Sequence, residues 1–155
     1  MTRLGLFLYK NFAVKSQISR KTNISETRLS LLSNDAKTRI YAEEFYLVAL
    51  AMDADIDIMA NEVFQDFKLI PLKEESNING EEIKKLTKFG EFLNPKLNSP
   101  ALISKRTGIS KARISSLSND PTVGLLGEEL FLFSLALNIS PGEAWKELYE
   151  DSLLK

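Results

Sequence analysis

Cysteine and histidine are both absent from this chain of 155 residues. Without cysteine there are no disulfides and no thiolate metal ligands, and without histidine there is no imidazole base. Zinc sites, thiol nucleophiles and Ser-His-Asp triads are therefore excluded. Because a chain free of disulfides suits a reducing compartment, we expect a cytoplasmic protein with no metal site.

Long apolar runs are also missing. The apolar start, MTRLGLFLYKNF, is interrupted by Tyr9, Lys10 and Asn11, so we expect neither a membrane span nor a signal peptide. There is no glycine-rich phosphate loop. Paired carboxylates at residues 43–44 and 128–129 fit the first turn of a helix, where negative charge is favoured, better than acid–base catalysis. We expect no enzyme activity, no catalytic residues and no cofactor.

The chain also has almost no net charge, since its 20 basic residues nearly balance its 21 acidic ones. Their distribution, however, is uneven. Residues 1–42 hold eight basic and two acidic side chains, whereas residues 43–70 hold one and seven. The second repeat shows the same contrast. Residues 86–127 hold six basic and two acidic side chains, and residues 128–155 hold two basic and six acidic ones. A locally basic surface favours phosphate contact even at a net charge of −1.

What the chain does contain is an internal repeat. The segment ISRKTNISETRLSLLSND, at residues 18–35, returns as ISKRTGISKARISSLSND at residues 103–120. The offset of 85 residues holds without a gap from residues 4–64 to residues 89–149, with about one position in three identical. We therefore predict two similar domains, at residues 1–70 and 80–155, joined by a linker at residues 71–79.

Apolar residues recur at helical spacing through both repeats, and no alternating strand pattern is present. In the second repeat we predict helices over about residues 81–93, 99–107, 110–117, 127–137 and 140–149. Ser99, Ser110 and Ser140 are the expected N-caps, and Asp55 is the last N-cap of the first repeat. The predicted fold class is all-α, with two tandem five-helix domains. The aromatic residues of the last two helices are expected in the core, facing the other repeat or facing a second subunit; they are Phe131, Phe133, Trp145 and Tyr149.

The duplicated core satisfies the geometry of a helix-turn-helix motif. Such a motif needs a small residue at the helix crossing, a residue that tolerates left-handed geometry in the turn, an apolar plug, and a cap for the second helix. These residues are Ser19, Asn23, Ile24 and Ser25 in the first repeat and Ser104, Gly108, Ile109 and Ser110 in the second.

This core resembles the helix-turn-helix of the phage-repressor family, also called Xre or lambda-repressor-like domains. Members are five-helix bundles that bind operator DNA, usually as symmetric dimers. The resemblance implies a sequence-specific regulator of transcription, of bacterial or phage type, with the third helix of each repeat in the major groove of double-stranded DNA. A second copy of the chain or another protein is left open as a further partner.

By that resemblance, outward positions at the start of each third helix read bases, and their neighbours contact phosphate. In the second repeat the base readers are Lys111, Ala112 and Ser116. Phosphate contact falls to Ser110 and Arg113, and to backbone N–H groups near Ser99 and Ala101.

The first repeat is a less regular match. Its corresponding residues are Ser25, Glu26, Thr27, Arg28 and Leu31. A glutamate repels phosphate, and Leu31 fits a packing contact better than a base contact. The alternative function is therefore a protein-interaction module, antitoxin-like or an adaptor, on a helix-turn-helix scaffold with weak or lost DNA readout.

Overall fold

A computed structural model describes residues 1–70 and 100–151 of the chain. All regular structure in these two ranges is helical, which confirms the predicted all-α class. The first range contains α1 (Arg3–Lys10), α2 (Lys15–Thr22), α3 (Glu26–Asn34), α4 (Ala42–Ala51) and α5 (Ile56–Val63). The second contains α6 (Pro100–Thr107), α7 (Lys111–Asn119), α8 (Gly127–Ala136) and α9 (Pro141–Tyr149).

The helix bounds repeat at the offset seen in the sequence. Helices α2, α3 and α4 each begin and end 85 residues before α6, α7 and α8, and α5 begins 85 residues before α9. The predicted helix at residues 81–93, the predicted linker and the N-cap Ser99 lie outside the described residues. Among the described helices, none is long and apolar enough to cross a bilayer.

Short local signals set where the helices start. The side chains of Ser25, Asp55, Ser110 and Ser140 accept a hydrogen bond from the backbone N–H three residues ahead, as predicted for N-caps. Helix α7 runs to Asn119, beyond the predicted end near Leu117. The last turn is closed by the Asp120 N–H, which donates to the Ser116 carbonyl over 2.9 Å. Inside the helix the buried Ser118 hydroxyl also donates to the Ile114 carbonyl, 2.8 Å away.

The two halves share one hydrophobic core. Helix α4 packs against α8 and α9, and α5 packs against α9. At the centre, the ring centroid of Trp145 lies 5.0 Å from that of Phe45 and 6.2 Å from that of Phe64. The indole N–H of Trp145 donates to the Ala42 carbonyl over 2.9 Å, so the buried nitrogen is satisfied across the interface.

Contacts between the halves come in reciprocal pairs. The N–H of Ala42 donates to the Leu125 carbonyl and the N–H of Gly127 donates to the Ile40 carbonyl, both over 2.8 Å. Each of these residues has its repeat equivalent in the other bond, since 42 + 85 = 127 and 40 + 85 = 125. This reciprocity is the pattern of an isologous interface, with the halves related by an approximate two-fold axis.

Aromatic and polar contacts obey the same rule. Tyr46 packs on Tyr149 and Phe64 packs on Phe131, with ring centroids 6.0 and 5.5 Å apart. Each pair is the repeat equivalent of the other. Asp57 accepts a 2.7 Å hydrogen bond from the N–H of its own equivalent, Gly142, as expected for residues on the axis. The core position expected for Phe133 is therefore confirmed, since it is fully buried, and of the two alternatives for the other aromatic residues the structure shows contact with the other repeat for Phe131, Trp145 and Tyr149.

Candidate nucleic-acid interface

The starts of α3 and α7 are capped and exposed. The hydroxyl of Ser25 accepts from the N–H of Arg28, and the hydroxyl of Ser110 accepts from the N–H of Arg113, both over 3.1 Å. The first turns expose Glu26 and Thr27 on α3 and Lys111 and Ala112 on α7. One turn further along, Leu31 and its equivalent Ser116 are exposed as well. The residues predicted to read bases are thus exposed at equivalent positions of the two helices.

The opposite face of each helix is anchored in the core. Leu29 and Leu32 of α3, like Ile114 and Leu117 of α7, are nearly or fully buried. The apolar stripe fixes the rotation of each helix about its own axis, so the exposed residues cannot turn inward without exposing the core.

Tight turns join α2 to α3 and α6 to α7. Asn23 and Gly108 adopt left-handed backbone angles, with φ of 65° and 78°, as predicted. A buried threonine closes each turn. The hydroxyl of Thr22 donates to the Ile18 carbonyl and accepts from the Ile24 N–H, and Thr107 makes the same two bonds in the second half. These threonines, present at both repeat positions, were missed in the sequence analysis.

Arg28 and Arg113 are already engaged within the protein. The Arg113 guanidinium donates twice to the Glu129 carboxylate, over 2.8 Å each, and once to the Gly124 carbonyl. Arg28 makes the equivalent bonds to Glu44 and to the Arg39 carbonyl. In each half the hydrogen bond to the glutamate raises the pKa of the arginine. These guanidinium groups link the third helix to the fourth, and they are not free for phosphate.

Glu44 and Glu129 each have a second role at the start of the fourth helix. One carboxylate oxygen accepts the N–H of the N-cap residue, Tyr41 or Leu126, over 2.9 and 3.0 Å. The prediction that these acids favour the first helical turn was therefore incomplete, because it did not include the arginine. The identical Arg-to-Glu spacing of 16 residues in both repeats was the available signal.

The structure also places two further predicted residues. Leu31 is 46% exposed, so its apolar side chain is available for a packing contact with a partner. The side chain of Ala101 is buried, but its position in the first turn of α6 leaves the backbone N–H without a helical acceptor. Ser99 lies outside the described residues.

No protein-family model, curated protein or solved structure matches this chain. Among the described residues, no cluster of three or more acidic side chains is placed to hold a metal ion. What the molecule does must therefore be inferred from the chemistry of the exposed helix starts and their surroundings.

Among the described residues, exposed basic side chains lie close in sequence to both third helices, four in the first half and one in the second. In the described parts of the chain, the exposed ones on the helices and loops next to α3 and α7 are Arg20, Lys21, Lys37, Arg39 and Lys105. Arg39 is partly committed, since its Nε lies 3.4 Å from the Glu128 carboxylate across the interface. The other four form no ion pair with another described residue, and they extend the positive surface beside the candidate base readers.

Proposed function

We propose that this chain is a sequence-specific DNA-binding regulator of transcription, built as two tandem helix-turn-helix domains of the phage-repressor type. The observation that carries the proposal is the pair of capped, exposed helix starts on α3 and α7, related by a reciprocal interface. For such a pair to enter two successive major grooves on one face of a duplex, the two helix starts must lie about one helical turn apart.

The exposed side chains of α7 suit base edges. Lys111 can donate to the N7 and O6 of guanine, Ala112 can contact a thymine methyl, and Ser116 can pair with several bases. On α3, Glu26 can accept from the N4 of cytosine. The two halves therefore present different residues to the DNA, so they would prefer different half-sites.

Phosphate contact in this proposal falls to groups other than the paired arginines. Lys105 in the second half, and Arg20, Lys21 and Lys37 in the first, are exposed and can neutralise phosphates. The backbone N–H of Ala101 and the cap Ser110 keep their proposed roles at helix N-termini. Arg28 and Arg113 instead fix the angle at which each third helix is presented.

A second candidate function is a protein-interaction module on the same scaffold. It is favoured by the half-exposed Leu31 and by Glu26, which together make the face of α3 more apolar and more acidic than that of α7. An adaptor of this kind would need no phosphate contacts, so its binding would not follow the salt dependence of DNA association.

The deciding experiment is a binding-site selection with the full chain, followed by fluorescence anisotropy on the selected duplex at several salt concentrations. We expect a steep salt slope and a loss of about 1–3 kcal/mol for Lys111→Ala, together with relaxed preference at one base pair. Lys146→Ala, on the exposed face of α9, is the matched control and should bind as the wild type does.

Outcomes for the first half separate the two candidate functions. If Glu26→Ala changes the preferred sequence, α3 also reads bases. Failure to enrich any sequence, or affinity that does not change with salt, would remove the DNA proposal and leave the interaction module in its place.

A further inference from the structure

A cavity of about 690 Å³ opens between the two halves. It is bounded by the start of α4, by the loop at residues 120–125 and by the end of α9. This volume falls in the range of small-molecule sites. The cavity is separate from the exposed outer faces of α3 and α7.

The lining combines an apolar body with negative charge. Leu47, Leu125 and Leu148 contribute aliphatic walls, and the rings of Tyr41 and Tyr149 contribute aromatic ones. Glu43 and Asp120 add carboxylates, while no lysine or arginine is among the described residues that line the cavity. Hydrogen bonds from the Thr122 hydroxyl and backbone N–H lower the pKa of Asp120, which keeps that carboxylate ionised.

The two-fold arrangement supplies an internal comparison. At the equivalent place on the other side of the axis, Arg39 reaches across and its Nε lies 3.4 Å from the Glu128 carboxylate. The repeat equivalents of those two residues are Gly124 and Glu43, since 39 + 85 = 124 and 128 − 85 = 43. On the cavity side, therefore, the carboxylate is present but the guanidinium is not.

Among the described residues, no cationic side chain takes the place of the missing guanidinium beside Glu43. No ion pair of Glu43 is found among the described residues, and its charge raises the pKa of Tyr149, after the larger effect of burial. Burial thus keeps the Tyr149 hydroxyl protonated beside Glu43. A protonated phenol and an unpaired carboxylate can together receive a planar cation.

Glycine at position 124 leaves the space that the Tyr41 ring occupies in the cavity wall. A Cβ at this position would lie 2.5 Å from Cε1 of the Tyr41 ring, so the ring occupies space that any side chain would fill. On the other side of the axis the corresponding pair is Arg39 and Leu126. Compared with the other side of the axis, the cavity side therefore lacks the guanidinium of a surface ion pair, in which Arg39 is 64% exposed. It has instead a tyrosine ring, whose centroid lies 5.8 Å from the guanidinium carbon of Arg28.

We propose that this cavity binds a small organic cation, a guanidinium group carried on a short apolar body. Glu43 is its counter-ion, in the role that Glu128 has for Arg39, and the apolar body lies between the aliphatic walls and the rings of Tyr41 and Tyr149. Because the Arg28 guanidinium already lies 5.8 Å from the centroid of the Tyr41 ring, cation–π attraction for the ligand falls to the ring of Tyr149. The site does not depend on whether the chain binds DNA.

The test is an NMR titration of the ¹⁵N-labelled full chain with benzylguanidinium, in the absence of DNA. We expect saturable shifts at the backbone amides of Val123, Gly124 and Tyr149. Benzylurea, which has nearly the same shape but no charge, should produce no saturable shift at these amides. Equal binding of the two compounds, or no saturable shift with benzylguanidinium, would overturn the proposal.

Two variants locate the site. Glu43→Gln should weaken benzylguanidinium binding by about tenfold or more, because it removes the charge of the acceptor. Glu143→Gln, an exposed position outside the cavity, is the control and should bind as the wild type does. The same affinity in Glu43→Gln and wild type would contradict the assignment.

A double variant gives the cavity side the residues that stand at the equivalent positions on the other side of the axis. Tyr41→Leu with Gly124→Arg should place an internal guanidinium on Glu43 and abolish ligand binding, with an unchanged far-UV circular dichroism spectrum. Retained binding in this folded variant would argue against the proposal. If the double variant does not fold, the Glu43→Gln result decides alone.

Discussion

Single residues at the two turns show how far local chemistry can be read from the chain. Asn23 and Gly108 were predictable as left-handed residues, because few side chains tolerate a positive φ and the turn allows no other geometry. The threonines before them were not predicted. A hydroxyl that bonds back into its own helix has no distinctive sequence pattern, apart from its presence at both repeat positions.

Substitution of Gly108 tests the turn. Gly108→Val should lower the free energy of unfolding by about 1 kcal/mol or more, because a β-branched residue resists φ of 78°. Gly108→Asn should cost less, since asparagine occupies the equivalent turn. Urea denaturation of both variants makes the comparison, and equal losses would show that backbone geometry is not the cause.

The buried phenol of Tyr149 gives a dependence on alkaline pH. Burial raises the pKa of Tyr149 in the folded chain, and Glu43 raises it further. The stability that this group contributes is fully present below the unfolded pKa of about 10 and is lost as pH rises towards the folded value.

The wild type should therefore lose more stability than Tyr149→Phe between about pH 8 and about pH 11. Urea unfolding of both proteins at the two pH values measures the difference. A parallel decline of the two proteins would show that Tyr149 ionises normally in the folded chain.

At the scale of helices, the positions where helices begin were predictable, but the side-chain bonds that join one helix to another were not. Serine and aspartate caps act within one turn, so Ser110 and Asp55 could be identified from their neighbours alone. The bond from Arg113 to Glu129 joins α7 to α8 across a loop. From the sequence, Arg113 was expected to contact phosphate, because a basic side chain on a candidate DNA-reading helix does not reveal a partner 16 residues away.

Loss of the Arg113 side chain should lower the stability of the fold more than it lowers any affinity for DNA. Arg113→Ala leaves the Glu129 carboxylate, 10% exposed, without its cation, and should destabilise the protein by about 2 kcal/mol. Arg3→Ala breaks a pair whose partners are 47% and 67% exposed, and should cost less than about 1 kcal/mol. Thermal denaturation of the two variants compares them, and equal costs would contradict the assigned role.

At the scale of the whole molecule, the repeat was evident from the sequence, but the contacts between its two copies were not. Reciprocal contacts such as Ala42 with Leu125 and Gly127 with Ile40 join residues more than 80 positions apart, and no local pattern encodes them. The aromatic residues of the last helices indicated an extensive apolar surface without specifying what covers it. The predicted domain limits at residues 70 and 80 remain predictions.

Trp145 connects the halves and should make them unfold together. Trp145→Ala removes a fully buried side chain from the shared core and should cost about 3–5 kcal/mol. In the wild type, indole fluorescence and far-UV circular dichroism should report one coincident transition. Ile58→Ala, at a site 60% exposed, should be nearly neutral. Separate transitions in the wild type would show that the halves are energetically independent.

Covalent linkage of the two halves has a consequence for dose response. Where identical subunits must first associate, occupancy of a binding site rises with the square of their concentration when they are dilute. Here the two halves belong to one chain, so one molecule brings both third helices at a fixed stoichiometry. If one chain binds alone in the proposed function, a regulator of this form would respond linearly to its own abundance. Because the exposed residues of α3 and α7 differ, the proposed target need not be a palindrome.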